Sequence, residues 1–163
     1  FNLGASKASK RWPAEYFSKL ITLVAEKFPK KKLLLTGSGK LDEMWAQKIL
    51  ASVKPGLCES AVSRTSLREL ALLIKNSQAL VSCDSLALHL GSAFKIPSVG
   101  LFGGSSLTVT ETGPYVPTPS VGLNTPLLCF PCRKKTCAHH TCMKELSAHR
   151  VGGELVQIIS DLK

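Results

Sequence analysis

The chain has 163 residues, 44% apolar and 20% charged, and Lys and Arg outnumber Asp and Glu by 21 to 11, giving a net charge of +10. That length suits one domain with a real core, the composition excludes a disordered chain, and no apolar run reaches the roughly 18 residues that cross a bilayer. The charge points to an anionic partner such as a nucleotide or an acidic membrane surface, while the aromatics, only 6%, fall in apolar stripes, which argues against a nucleic-acid reader.

Residues 1–4 read as the end of a strand already in progress, so the chain is read as part of a larger protein. Residues 5–12 read as a polar loop carrying Lys7, Lys10 and Arg11. Pro13 suits the first turn of a helix, along which Phe17, Leu20, Ile21, Val24 and Phe28 recur at helical spacing. Lys30-Lys31-Lys32 is a charged turn before a short apolar strand, Lys32 to Thr36, which Gly37-Ser38-Gly39 ends. A second helix is predicted from Leu41 to Val53. Ser66 followed by Glu69 forms a capping box ahead of Leu67, Leu70, Leu73 and Ile74. A strand at Ala79–Val81, a helix at Asp84–Phe94 and a buried strand at Ser98–Phe102 follow. Residues 103–145 form a long segment rich in Pro, Thr and Cys, and a last helix runs from Ala148 to Leu162. Alternating strands and helices predict an α/β fold, a Rossmann-like doubly wound parallel sheet with helices on both faces. Ligands bind such sheets outside the carboxyl ends of the strands, and the loops at 4–10, 36–40, 82–86 and 102–106 all leave strands at that rim.

The stretch from Val81 to Ala93 carries most of the functional signal. A buried strand meets a polar corner, Asp84-Ser85, and then an apolar helix. The corner sits at a helix N-terminus, where unpaired N–H groups and the macrodipole favour phosphate. His89, one turn after Ser85, shares that face. The alternative is a plain N-cap with His89 packed beneath it. Other motifs fail. Gly37-Ser38-Gly39-Lys40 lacks the Ser or Thr after the lysine that a P-loop needs, since Leu41 stands there, and Asp42 occupies the third small position of a dinucleotide fingerprint. Gly37 and Gly39 are therefore read as a turn that lets a ligand approach the backbone. Asp84, Ser85 and His89 lie too close on one segment for a hydrolase triad.

Cys129, Cys132, Cys137 and Cys142, interleaved with His139 and His140, have spacing suited to a structural zinc. Free or packed thiols, and disulfide or redox chemistry, remain alternatives. The segment is expected to act as a local staple distant from the Asp84 corner, so that chelation lowers the melting temperature and spares nucleotide affinity. Cys58 and Cys83 read as core residues.

Together these pieces resemble the C-terminal domain of the family 9 glycosyltransferases, the lipopolysaccharide heptosyltransferases. The resemblance rests on N-L-G-A-S-K-A-S-K-R-W-P at 2–13, L-L-T-G-S-G at 34–39, T-S-L-R-E-L-A at 65–71, the D-S-x-x-x-H core at 84–89, and L-F-G at 101–103 followed by T-G-P-Y at 112–115. The cysteine segment ending Cys142-Met143 resembles one in many members. The resemblance implies that residues 1–163 are the nucleotide-sugar half of a two-domain GT-B enzyme, with the acceptor domain and its catalytic base in a separate N-terminal half. It gives Ser6 and Lys10 to the donor diphosphate, Thr65 and Leu67 to the border of base and ribose, Asp84 to the sugar or its loop, and the Ser85 backbone with His89 to the phosphates. Lys10 and Asp84 are the residues it places nearest the chemistry. Leu86 stands where the family usually has Gly, and leucine enters positive-φ geometry only at a cost, which predicts a disturbed phosphate turn. Lys40 stands near where many relatives place an acidic ribose contact.

The activity implied is inverting transfer of a heptose-like sugar from ADP-heptose to a lipid-linked lipopolysaccharide core acceptor. No metal is needed for that chemistry when cationic groups and helix N–H dipoles stabilise the departing diphosphate. The implied location is cytoplasmic, with peripheral contact to an anionic inner membrane face. By itself the chain is expected to bind donor without catalysing transfer. The alternatives are a nonenzymatic nucleotide-sugar-binding module and a zinc-stabilised nucleic-acid binder.

Overall fold

The computed structural model describes residues 1–104, 120–122, 127–130, 132 and 134–162. The T-G-P-Y stretch at 112–115 lies outside the described residues. A 3-10 turn at Ala8–Lys10 precedes helix α1, Ala14–Lys27, and strand β1, Leu34–Leu35. Then come α2, Lys40–Ser52; β2, Glu59–Ser60; α3, Leu67–Lys75; β3, Leu80–Cys83; α4, Leu86–Ala93; and β4, Ser98–Phe102. The chain closes with β5, Ser120–Gly122, a short α5, Thr141–Lys144, and α6, Ala148–Asp161. Among the described residues no helix is long and apolar enough to cross a membrane.

β1 pairs with β2, and β3, β4 and β5 pair in that order, every pairing parallel. The opening residues join the two sets. Asn2 bridges in parallel to Thr36 on one side and to Ser82 on the other. The Asn2 N–H donates to Val81 O at 2.9 Å and the Leu3 N–H to Thr36 O at 2.8 Å. Counting residues 1–3 as the first strand, the order across the sheet is 3-2-1-4-5-6, the doubly wound arrangement, whose direction reverses beside the first strand.

Side chains alternate across each strand, so the two faces of β3 bury different partners. Val81 and Cys83 join the main core with α1, α2 and α6, whereas Leu80 joins a smaller cluster with Ile74 of α3 and Ala87 of α4. Phe17, Leu20 and Ile21 of α1 are fully buried, as their spacing predicts, and burial of side chains this size stabilises by about 1.5–3 kcal/mol each. Ser66 makes the predicted capping box: Glu69 N–H donates to Ser66 Oγ at 3.3 Å and Ser66 N–H to Glu69 Oε2 at 2.7 Å. The Ser66 hydrogen bonds hold the Glu69 carboxyl below its ordinary pKa.

The structure corrects two readings. Helix α4 begins at Leu86, because Asp84 and Ser85 stay out of the helix and Ser85 is extended at φ −153° and ψ 171°. The segment 103–145 is not a plain loop after the last strand: it contributes β5 to the sheet edge and α5 to the core, where Met143 is fully buried.

Candidate functional site

The carboxyl ends of residues 1–3, β1 and β3 open onto one cleft of about 580 Å³ at the point where the strand order reverses. Its walls bring together Ser6, Lys10, Thr65, Leu67, Asp84, Ser85, Leu86 and His89, eight residues taken from three separated segments. The capping box delivers Thr65 and Leu67 by setting where α3 starts. The β3–α4 corner delivers Asp84 and Ser85.

Lys10 Nζ forms an ion pair with Asp84 Oδ2 across the cleft floor, with side-chain exposures of 16% and 5%. This contact joins the loop after the first strand to the corner after β3. Ser85 is the N-cap of α4, yet its hydroxyl makes no cap bond. It lies 2.9 Å from Ser82 Oγ and accepts from Asn2 Nδ2 at 3.2 Å. Asn2, itself buried, also donates to Gly4 O at 3.1 Å and accepts from Thr36 Oγ1 at 3.3 Å. The side-chain cap that competes with phosphate binding is therefore not made. The Ser85 hydroxyl is drawn back into the sheet, and Leu86 and Ala87, the first residues of α4, line a cleft that also holds Lys10.

A second ion pair braces the neighbouring wall. Arg11, 9% exposed, pairs with Asp42 Oδ1 and donates to Leu3 O at 3.3 Å and Ala5 O at 3.2 Å. Asp42, 1% exposed, accepts at Oδ2 from the Ser38 N–H at 2.8 Å. A Cβ on Gly37 would come within 2.6 Å of that carboxylate oxygen. Gly37 thus makes room for Asp42, and Gly37 and Ser38 also line the cleft. Sequence reasoning missed this pair. Its only trace was an acidic residue at a position where a dinucleotide loop needs a small one.

Leu86 takes up its place at the β3–α4 corner without positive-φ strain. Among the described residues the positive-φ residues other than glycine are Ser63, Lys95 and His140, and Leu86 is the first helical residue of α4 with its side chain 55% exposed. Leu86→Gly is accordingly expected to leave nucleoside-diphosphate affinity unchanged or raised, and to cost no more than about 1 kcal/mol of stability, the helix propensity difference. Calorimetry and thermal melting on the same protein check this. Lost affinity at unchanged stability would show that Leu86 makes a contact of its own to the ligand. Lys40 opens α2 but is not among the residues that line the cleft.

The cysteine segment is distant from the Asp84 corner only in sequence. Cys129, Cys132, Cys137 and Cys142 line a small cavity together with His139, Ser9 and Lys10. Cys132 N–H donates to Gly104 O at 2.7 Å, Ser9 N–H donates to Lys135 O at 3.2 Å, and His140 Nε2 lies 3.1 Å from Ser9 O. All six cysteines are free thiols. Burial, with the nearby Cys137, Cys132 and Cys129, pushes the Cys142 thiol up. Among the described residues no three His, Cys, Asp or Glu side chains already converge as a metal-ligand set. Cys58 and Cys83 are buried as predicted, and burial pushes their thiols to about 11 and about 12.

The family described as glycosyltransferase family 9 (heptosyltransferase) matches residues 1–143. The chain is 31% identical over 162 residues to lipooligosaccharide heptosyltransferase 2 of Campylobacter jejuni subsp. jejuni serotype O:6, covering 96% of the chain and 50% of that protein. Its fold is similar to that of E. coli ADP-heptose lps heptosyltransferase II, with a TM-score of 0.81 at 24% identity over 99% of this chain and 46% of that one. It is also similar to E. coli heptosyltransferase WaaC with ADP, with a TM-score of 0.74 at 19% identity over 97% of this chain and 43% of that one. The chain thus spans about half the length of the curated relative it matches over nearly its whole length.

Proposed function

The chain belongs to glycosyltransferase family 9 and has the fold of one half of a GT-B heptosyltransferase, and from this we propose that it binds the nucleotide-sugar donor, ADP-heptose, for inverting transfer to a lipopolysaccharide core acceptor. One observation carries the reading: the Lys10–Asp84 pair beside the α4 N-terminus, at the switch point of the sheet. A departing nucleoside diphosphate gains negative charge as the sugar bond breaks. A cation and helix N–H dipoles already fixed at that point stabilise the charge without reorganising. Ser6 and Lys10 face the diphosphate, Ser85 N–H and His89 hold its oxygens, Thr65 and Leu67 border the base and ribose, and Asp84 keeps Lys10 in place. This chemistry needs no metal. The relatives extend to about twice this length, and we assign the acceptor and the catalytic base to that other half. A cytoplasmic location belongs to the same proposal, and the net charge of +10 suits contact with an anionic membrane face.

Titration calorimetry with ADP-heptose, ADP, UDP-sugars, GDP-sugars and a random oligonucleotide tests it. ADP-heptose should bind and ADP should displace it, while the oligonucleotide should bind weakly with a steep salt dependence. An oligonucleotide that outcompetes every nucleoside diphosphate would refute the reading.

A further inference from the structure

The cavity on the far side of Lys10 has the composition of a metal site. Its volume is about 20 Å³, room for about one water-sized occupant, and four of its lining residues are cysteines. Those cysteines follow the pattern Cys-x2-Cys-x4-Cys-x4-Cys on one continuous segment. A tetrahedral set of four sulfurs suits zinc or iron, and a closed four-ligand site is structural and not catalytic.

The segment is anchored at both ends while its cysteine-bearing middle is short. Cys132 N–H is held by Gly104 O, and a Cβ on Gly104 would meet Cys132 Cβ at 2.8 Å, so the approach depends on glycine there. At the other end Cys142 is 7% exposed, Met143 and Leu146 are fully buried, and Trp12 Nε1 donates to Leu146 O at 2.7 Å. Among the described residues the four sulfurs do not already converge as a ligand set, so the site requires cysteine side chains to rotate among staggered wells.

The same segment grips Ser9 through all of its polar groups. Ser9 N–H donates to Lys135 O, Ser9 Oγ donates to Lys134 O, and Ser9 O lies 3.1 Å from His140 Nε2. The His140 N–H donates to Cys137 Sγ at 3.3 Å. Ser9 immediately precedes Lys10 in the 3-10 turn, and Lys10 lines both the thiol cavity and the cleft.

We propose that Cys129, Cys132, Cys137 and Cys142 bind one thiophilic metal ion, zinc by ligand type, and that this ion fixes the segment that positions Lys10 for the donor diphosphate. The site adds no step to the chemistry. It replaces the expectation of a staple without influence on nucleotide binding. The donor half of the proposal rests on the function proposed above; the metal half does not.

The test begins with metal analysis of the chain purified without chelator. About one equivalent of zinc or iron is expected, and cobalt exchanged into the site should show the near-ultraviolet absorption of thiolate-to-cobalt charge transfer. Cys132→Ser with Cys137→Ser should abolish both, and Cys58→Ser should keep both. ADP affinity is then measured on protein stripped of metal and still folded by circular dichroism. The Kd should rise about tenfold, the loss of one well-placed charged contact, and return when zinc is restored. Protein with neither zinc nor iron and no cobalt signature would overturn the proposal. So would a Cys129–Cys132 disulfide, or bound metal whose removal leaves the ADP Kd unchanged. If the loaded protein carries metal but binds no ADP, the donor assignment fails and the metal site stands.

Discussion

Lys10→Ala is expected to weaken nucleoside-diphosphate binding by about 10- to 100-fold. A hydrogen bond to a charged group contributes roughly 1.5–3 kcal/mol, which corresponds to that range. The upper end is favoured, because the substitution also leaves the buried Asp84 carboxylate without its lysine, facing the incoming phosphates. Lys31→Ala is the matched control. Lys31 precedes β1 at the opposite rim of the sheet, where it donates to the Gln78 side chain. Calorimetry with ADP on both variants decides the matter: equal affinities would remove Lys10 from the site. Lys10→Arg should recover only part of the loss, since the guanidinium fork differs in shape from an ammonium.

Asp42→Ala is expected to destabilise the fold by about 3–5 kcal/mol, the cost of leaving one member of a buried ion pair uncompensated. For a chain of this size that lowers the melting temperature by about 6–20 °C. The substitution strands the Arg11 guanidinium and removes the acceptor of the Ser38 N–H together. The diagnostic variant is the double one. Arg11→Met with Asp42→Leu removes both charges and should be more stable than Asp42→Ala alone. Thermal melting of the two proteins would count against the buried pair if the double variant melted lower.

The elements were legible where short-range physics dominates. The spacing of Phe17, Leu20, Ile21 and Val24 marks α1, and Ser66 with Glu69 marks the start of α3 to the residue. β4 was readable because both of its faces are buried, so its residues form one apolar run. β2 was missed because it is a two-residue strand, Glu59–Ser60, formed by backbone pairing to β1 with no apolar pattern. Asn2 was missed for a different reason. Its amide acts only once Thr36, Ser82 and Ser85 have been brought around it, and no local spacing encodes that meeting. The eight site residues were named through family resemblance joined to the strand-corner-helix pattern. Their meeting in one cleft is a product of strand order. The contact between the cysteine segment and Ser9 was invisible because more than 120 positions separate the partners.

The placement of residues 1–3 between β1 and β3 governs the order in which the site can assemble. Asn2 can meet Thr36 after closing a loop of 34 residues, but it meets Ser82 only across a separation of 80. Longer closures carry a larger entropic cost and slow the pairing of distant strands. The wall holding Lys10, Arg11 and Asp42 can therefore form in a half-sheet while Asp84 is still unfolded. The two walls are joined when β3 docks onto Asn2, which the longer closure is expected to make the later step. The proposed competence to bind a diphosphate is thus expected to arise together with the longest-range pairing of the central strand, and ligand binding during refolding would time that pairing.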